Sequence, residues 1–519
     1  MELTRRKFLV GSGATAAAAF GIDLPAWAQS GKVMLIACNS EIPSFDPHVS
    51  SGYASSMLMR NIYTSLVTSE GNPASIAPQL ATAWTVSDDG LSYVFELDPN
   101  AVFHDGTPIT ADDVVYSFDR MIRLGRGGAW MVAGILGEGS VAATAPTTVT
   151  MTLQQPFAAF LETLPWFSVI NSRLIEENLG EDDGQTFFLT NAPGSGAFQL
   201  GRAEPGNLFE FIRVADHWRQ GGGNLDGYIW KITRETSTQR LMIQQGQAHC
   251  ALDLTSEDMA TLRDRPGIVL VEESDFRTFS IKMNCKTGPL ADVNLRRAVS
   301  YAFDYDAMLE IAGAADLMVG PLPLGIFGQD PSLEVPRMDL AKAQEFLAQS
   351  AYAAGGLTLK AEFIQGLEQE RRWCLILLDN LRALGIELDV QPVAWTDAVA
   401  KAGSPETTAD FFCVYQSVNY ADPDNIAYAA YHSSRNGTWN NPTYANPEVD
   451  ALIEEGRRAL DPDERVTIYK RFQEMVVADA PDIFGVLEKR KIAFRDTVQD
   501  FQFTPIAGNA FDFFPISLA

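Results

Sequence analysis

The residues best suited to nucleophilic, acid–base or metal chemistry are scattered. Five histidines (His48, His104, His217, His249, His432) lie far apart and show no metal-ligand spacing. Five cysteines (Cys38, Cys250, Cys285, Cys374, Cys413) form no CxxC pair and are too sparse for a disulfide framework. Buried free thiols are expected, with room for one incidental disulfide. Beyond residue 28 there is no GxSxG elbow, no HExxH pair and no GxxxxGK[ST] phosphate loop. His104-Asp105-Gly106 invites an acid–base reading, but Asp and Gly between a strand and a helix usually serve a turn. Carboxylate pairs carry little information among 66 acidic residues. A hydrolase is therefore disfavoured. What does cluster is a run of amides and aromatics, Tyr415-Gln416-Ser417-Val418-Asn419-Tyr420-Ala421-Asp422-Pro423. Amides supply donors and acceptors together and aromatics supply flat faces, a combination suited to holding a polar solute.

The elements that must position these residues are legible in outline. Residues 32–38 form a short apolar run bounded by turn formers, as a buried strand does, and 91–97 and 147–153 alternate in the manner of strands with one wet face. Between them Thr110 caps a helix with Val114, Val115, Phe118 and Met121 on its apolar side, and Asp113 sits where a capping-box acid reaches back. The second half carries a βαβ unit: a strand at 357–364, a helix at 367–384 with Trp373, Leu377, Leu381 and Leu384 in step, and a return strand at 386–393. Gly385 supplies the left-handed residue after the helix. A short helix at 396–402 and a strand at 410–415 follow, with further helices at 295–302, 340–348, 449–457 and 464–477. Alternation of this kind implies α/β lobes built on parallel strands, two of them, joined near 276–279. Trp395 lies between a strand end and a helix start, where α/β sheets place ligands; a structural tryptophan is the competing role.

The amino terminus sets the compartment. Thr4-Arg5-Arg6-Lys7-Phe8-Leu9-Val10, a weakly apolar Gly/Ala stretch and Ala26-Trp27-Ala28 have the layout of a cleaved secretory signal over residues 1–28. The Arg5-Arg6 pair next to Phe8-Leu9 resembles a twin-arginine export signal; a general secretory signal with a chance arginine pair is the alternative. No cysteine follows the cleavage site, so a free periplasmic protein without a lipid anchor or membrane insertion is expected. The net charge is −27, and removal of the signal makes it about one unit more negative. That acidity argues against nucleic acid and anionic membranes as partners and is permissive for neutral or cationic solutes. About 490 residues exceed a single core and call for two or three packed units.

One long resemblance joins these pieces. Ile76-Ala77-Pro78-Gln79-Leu80-Ala81-Thr82-Ala83-Trp84 leads into Ser87-Asp88-Asp89-Gly90-Leu91-Ser92-Tyr93-Val94-Phe95-Glu96-Leu97, then Phe103-His104-Asp105-Gly106-Thr107-Pro108 and Thr110-Ala111-Asp112-Asp113-Val114. Gly194-Ser195-Gly196-Ala197-Phe198, Pro289-Leu290-Ala291-Asp292-Val293, Ala421-Asp422-Pro423-Asp424-Asn425 and Tyr444-Ala445-Asn446-Pro447-Glu448-Val449-Asp450 follow in order. The chain resembles the dipeptide/oligopeptide/nickel-binding family of solute-binding proteins (extracellular family 5) over nearly its whole length. The resemblance implies a two-lobe α/β clamp of the type II periplasmic kind, with an extra subdomain inserted in the first lobe. Lobe I would comprise 29–276 and 492–519, with the insertion at about 70–185, and lobe II 277–491. It further implies the solute-binding subunit of an ABC importer, a monomer that captures a small molecule and docks on an inner-membrane permease, with no turnover and no resident cofactor. Family relatives include nickel and haem binders, so a metal-chelate or haem carrier with His48 and His432 as candidates is the alternative.

The resemblance also places a site. The loop with Ser51, Gly52 and Tyr53 resembles one that lines the family's cleft, and an ordinary surface loop competes with that role. Phe279 falls at the lobe junction, as a ligand wall or as core. Peptide-binding members resemble Trp-x-x-Asp-x-x-Asp/Glu-Pro where this chain has Gln416, Asn419 and Asp422-Pro423. Their first Asp pairs with a peptide α-ammonium, whereas Asn419 is neutral, which favours sugars, opines and similar solutes over free peptides. Gln416, Asn419 and the 51–53 loop are the expected hydrogen-bonding groups, with Trp395 or Tyr420 stacking; Asp422 is expected to serve the local turn.

Overall fold

The computed structural model describes residues 31–50, 52–506 and 511–519; the signal at 1–28 and Ser51 lie outside them. Its backbone is one eleven-stranded mixed sheet and a separate four-stranded sheet, with helices packed around both. In the large sheet the strands run Phe198–Glu204, Leu208–Arg213, Gly227–Ile232, Val33–Cys38, Cys250–Ala251, Asp482–Arg495, Ile268–Met283, Phe411–Gln416, Leu357–Ile364 and Ile386–Val393, with Ala315–Leu317 beside Asp482–Arg495. Val33–Cys38 pairs in parallel with Gly227–Ile232, and Leu357–Ile364 in parallel with both Ile386–Val393 and Phe411–Gln416. The βαβ unit is as the periodicity predicts: the helix is Glu368–Arg382, it buries Trp373, Leu377 and Leu381, and Gly385 has φ +67°.

The two halves of the sheet are tied by its longest strands. Ile268–Met283 and Asp482–Arg495 are antiparallel along nearly their whole length, so each contributes to both halves. Their register breaks between Ser274 and Arg277, and Phe276 sits at φ +56°, a left-handed conformation uncommon for a bulky residue. The Arg277–Glu488 and Arg490–Asp275 ion pairs bridge the strands at the break.

Four apolar cores follow from this topology. One lies under Val33–Cys38 and Gly227–Ile232 and is closed by Phe511, Phe513 and Ile516. A second is built entirely from 66–169 apart from Tyr420, on the small sheet Ala81–Val86, Ser92–Leu97, Thr148–Thr152 and Val141–Ala145. The helix Ala111–Leu124 covers that sheet with Val114, Phe118 and Met121 buried. Its start is held as expected: the Asp113 carboxylate accepts from the Thr110 N–H at 2.9 Å, and Gly125 ends it at φ +59°. The third and fourth cores lie in the second half, around Phe279 with Trp373 and around Tyr431 with Phe472. Among the described residues no helix is long and apolar enough to cross a membrane.

Candidate ligand-binding cleft

A cavity of about 370 Å³ opens where these cores meet. Tyr53 enters from the first core, Trp130 and Trp166 from the small-sheet unit, and Tyr415, Gln416, Asn419 and Trp439 from the second half. A gap of this size walled by aromatics, with amide, hydroxyl and guanidinium groups converging on it, suits a polar small molecule.

Each wall has a local cause. Tyr53 opens the helix Tyr53–Ile62, so the described part of the expected loop, Gly52 and Tyr53, is a helix entry, with Gly52 as its exposed N-cap. The Arg490 guanidinium lies 3.6 Å from the centre of the Tyr53 ring, and the buried Tyr53 hydroxyl has no hydrogen-bond partner. Burial pushes that hydroxyl's pKa up and keeps it a neutral donor. Tyr415 ends the central strand Phe411–Gln416 with Arg277 4.0 Å over its ring and its hydroxyl 3.4 Å from Glu488. Gln416 is buried and donates to Asn440 Oδ1 at 3.2 Å. The Asn419 backbone carbonyl accepts from the Trp166 indole N–H, which fastens the small-sheet unit to the second half. Ala158 N–H to the Arg457 carbonyl (2.9 Å) makes a second such tie.

Of the residues expected at the site, Tyr53, Gln416 and Asn419 line the cavity, Gly52 does not, and Ser51 lies outside the described residues. Four others sit elsewhere. Phe279 is wholly buried against Trp373 and Tyr415, and Tyr415, its partner across the strands, is the residue that reaches the cavity. Tyr420 turns into the small-sheet core and donates to Asp424 at 2.8 Å. Trp395 is 45% exposed and meets Trp439 edge-on at 5.4 Å, so it backs a wall that Trp439 forms. Asp422 does accept a turn bond from Asp424 N–H, but its main partner is Arg465, a buried two-pronged ion pair at 2.7 and 2.8 Å.

The histidines expected for metal or haem are committed away from the cavity. His48 donates from Nε2 to the Ser168 carbonyl at 2.9 Å and accepts at Nδ1 from Arg120 at 3.0 Å, and burial lowers its pKa to about 4. His432 caps the turn Ser433–Arg435 and faces Glu454. Among the described residues no group of three or more His, Cys, Asp or Glu is placed to hold a metal ion. His104-Asp105-Gly106 is a turn, with Asp105 accepting from Thr107 and Gly106 at φ +82°.

Sequence reasoning passed over Trp130, Trp166, Asn425, Arg435, Trp439 and Asn440, all at the cavity. Asn425 is 1% exposed and its side-chain N–H₂ has no partner. Arg435 lies with its guanidinium 5.7 Å from the Trp130 ring centre, its buried Nε unpartnered.

Comparison with known proteins agrees with this geometry. Residues 75–438 match the family described as bacterial extracellular solute-binding proteins, family 5. The chain belongs to that family. Within it, the chain is 29% identical over 441 residues to the probable D,D-dipeptide-binding periplasmic protein DdpA of Escherichia coli K12, covering 83% of each. The fold of this family 5 member is similar to that of the ABC transporter-associated periplasmic binding protein DppA from Helicobacter pylori, solved with the peptide STSA. The TM-score is 0.83 and the identity 22%, over 94% of this chain and 99% of that one. It is also similar to PBP AgaA from A. tumefaciens R10, solved with agropinic acid, at TM-score 0.80 and 21% identity over 94% and 99% of the two chains.

Proposed function

We propose that this family 5 protein is the periplasmic capture subunit of an ABC importer: it closes on one polar organic solute and hands it, unchanged, to an inner-membrane permease. The observation that carries the reading is the cavity itself, an aromatic and amide-lined space enclosed by units with separate cores. Lobe I (29–276 and 492–519, with the insertion at about 70–185) and lobe II (277–491) are taken to rotate about the register break at Ser274–Arg277. There both connecting strands pass between the halves. In this reading one chain, acting as a monomer, carries out the cycle.

The relatives' names span a D,D-dipeptide and an opine acid, and this chain's walls favour the second kind of chemistry. Asn419 is an amide where a peptide ammonium needs a carboxylate, and no carboxylate lines the cavity among the described residues. A sugar, an opine or another polyfunctional solute uses Gln416, Asn419 and the Tyr53 hydroxyl as hydrogen-bonding groups and Trp130, Trp166 and Trp439 as flat walls. Export through Arg5-Arg6 and cleavage after Ala28 complete the reading.

Native mass spectrometry of the protein drawn from the periplasmic fraction, never unfolded, tests both parts at once. The expected spectrum shows a chain beginning at Gln29 carrying one small-molecule adduct that collisional activation removes. A chain retaining residues 1–28 contradicts the export reading. A chain that stays free of adducts and binds no member of a sugar, opine and peptide panel contradicts the capture reading.

A further inference from the structure

The cavity's charge is lopsided. Among its described lining residues Arg435 alone is ionised, and it makes no ion pair and no side-chain hydrogen bond among the described residues. Four other guanidiniums near the cleft have a carboxylate partner, Arg277 with Glu488, Arg490 with Asp275, Arg457 with Asp424 and Arg465 with Asp422, although Arg457 Nε and Nη2 make no hydrogen bond. Arg435 instead lies over Trp130, with its Nε shut off from water. A desolvated guanidinium donor without an acceptor costs free energy that an incoming anion recovers, because charge-assisted bonds to carboxylates are short and strong. A second orphan stands at the same cavity: the side-chain N–H₂ of Asn425, 1% exposed and also without an acceptor. With the Tyr53 hydroxyl these make three unanswered donors, and together with the absence of a lining acid among the described residues they describe a pocket that lacks a negative group.

Resting on the capture reading above, we infer that the solute is an organic acid whose carboxylate is anchored by Arg435, with Asn425 as the second donor and Trp130 as the floor. The remainder of the molecule, bearing hydroxyl or amide groups, extends toward Gln416, Asn419 and the Tyr53 hydroxyl. An exposed ammonium has no counter-charge in this cavity, so a net anion binds better than a zwitterion and a zwitterion better than a cation. The acidic exterior does not forbid this, since charges beyond a Debye length of about 8 Å are largely screened at physiological salt.

Calorimetry tests the anchor on two acid–amide pairs, D-glucuronate against D-glucuronamide and octopine against octopine amidated at its carboxyls, and on one anion–cation pair, N-acetyl-Ala-Ala against Ala-Ala-amide. The expected result is at least one carboxylate that binds about 10- to 100-fold tighter than its amide. Arg435→Gln should remove that preference by weakening the acid far more than the amide. Because Arg435 makes no ion pair, the solute-free variant should melt within about 3 °C of the parent. Amides binding as well as acids, or an Arg435→Gln variant that keeps the preference, overturns the anchor and leaves the capture reading intact. Preference for Ala-Ala-amide over the N-acetyl acid overturns it too, by revealing a site for cations. No binding by any member of the panel contradicts the anchor, and with an adduct-free native spectrum it contradicts the capture reading as well.

Discussion

At the scale of single residues the clearest distinction is between groups that face the cavity and groups that hold its walls. Asp422 belongs to the second kind. Its carboxylate meets Arg465 through two bonds, both side chains buried. Removing one partner of a buried pair leaves an uncompensated charge, which costs about 3–5 kcal/mol. Asp422→Asn, nearly the same shape, should therefore lower the urea midpoint strongly while the folded fraction keeps its solute affinity. A large loss of affinity without loss of stability would make Asp422 a ligand contact after all. The site was legible in sequence only where its residues fall in one local run. Gln416 and Asn419 stand in a recognisable motif, and Tyr53 follows the first strand. Trp130, Trp166 and Arg435 come from segments with no local mark, and only the docking of separately cored units brings them together. Phe279 takes the core role that its place at the junction left open, and Tyr420 does not reach the cavity, because a strand's alternation, or a turn's direction, decides which neighbour faces the gap.

At the scale of elements the Gly194-Ser195-Gly196 strap explains how the Tyr53 helix is fixed. Gly196 N–H donates to Ile62 O at 2.7 Å, and a Cβ on Gly194 would lie 1.9 Å from that same carbonyl oxygen. A contact so short with backbone cannot be relieved by a side-chain rotation, so strap or helix must move. Gly194→Ala should cost at least about 1–3 kcal/mol and weaken solute binding by displacing Tyr53 at the helix's other end. An alanine variant with parental stability and affinity would show that the strap does not set the helix. Regular elements were the legible part of the fold. The capped helix Ala111–Leu124 and the βαβ unit announce themselves by period, cap and terminal glycine. The strands Ile268–Met283 and Asp482–Arg495 do not, because they cross from one packing environment to another and keep no single alternation.

At the scale of the whole molecule those two strands matter most. They are shared by both halves of the sheet, their register breaks between Ser274 and Arg277 and again between Phe279 and Ser280, and the cavity opens beside these breaks, at Tyr415 with Arg277 over its ring. In the proposed clamp, lobes joined by these two strands have one soft direction, opening and closing around the cavity, and opening has to release Tyr420 from the small-sheet core. A solute that contacts walls from both halves favours the closed form by its differential affinity, and a solute held by one wall alone would not. Small-angle scattering on the mature chain, stripped of solute and then saturated with the molecule identified by native mass spectrometry, measures this directly. Clamp closure predicts a smaller radius of gyration in the saturated sample, reversed when the solute is dialysed away; an unchanged radius at full saturation would contradict it.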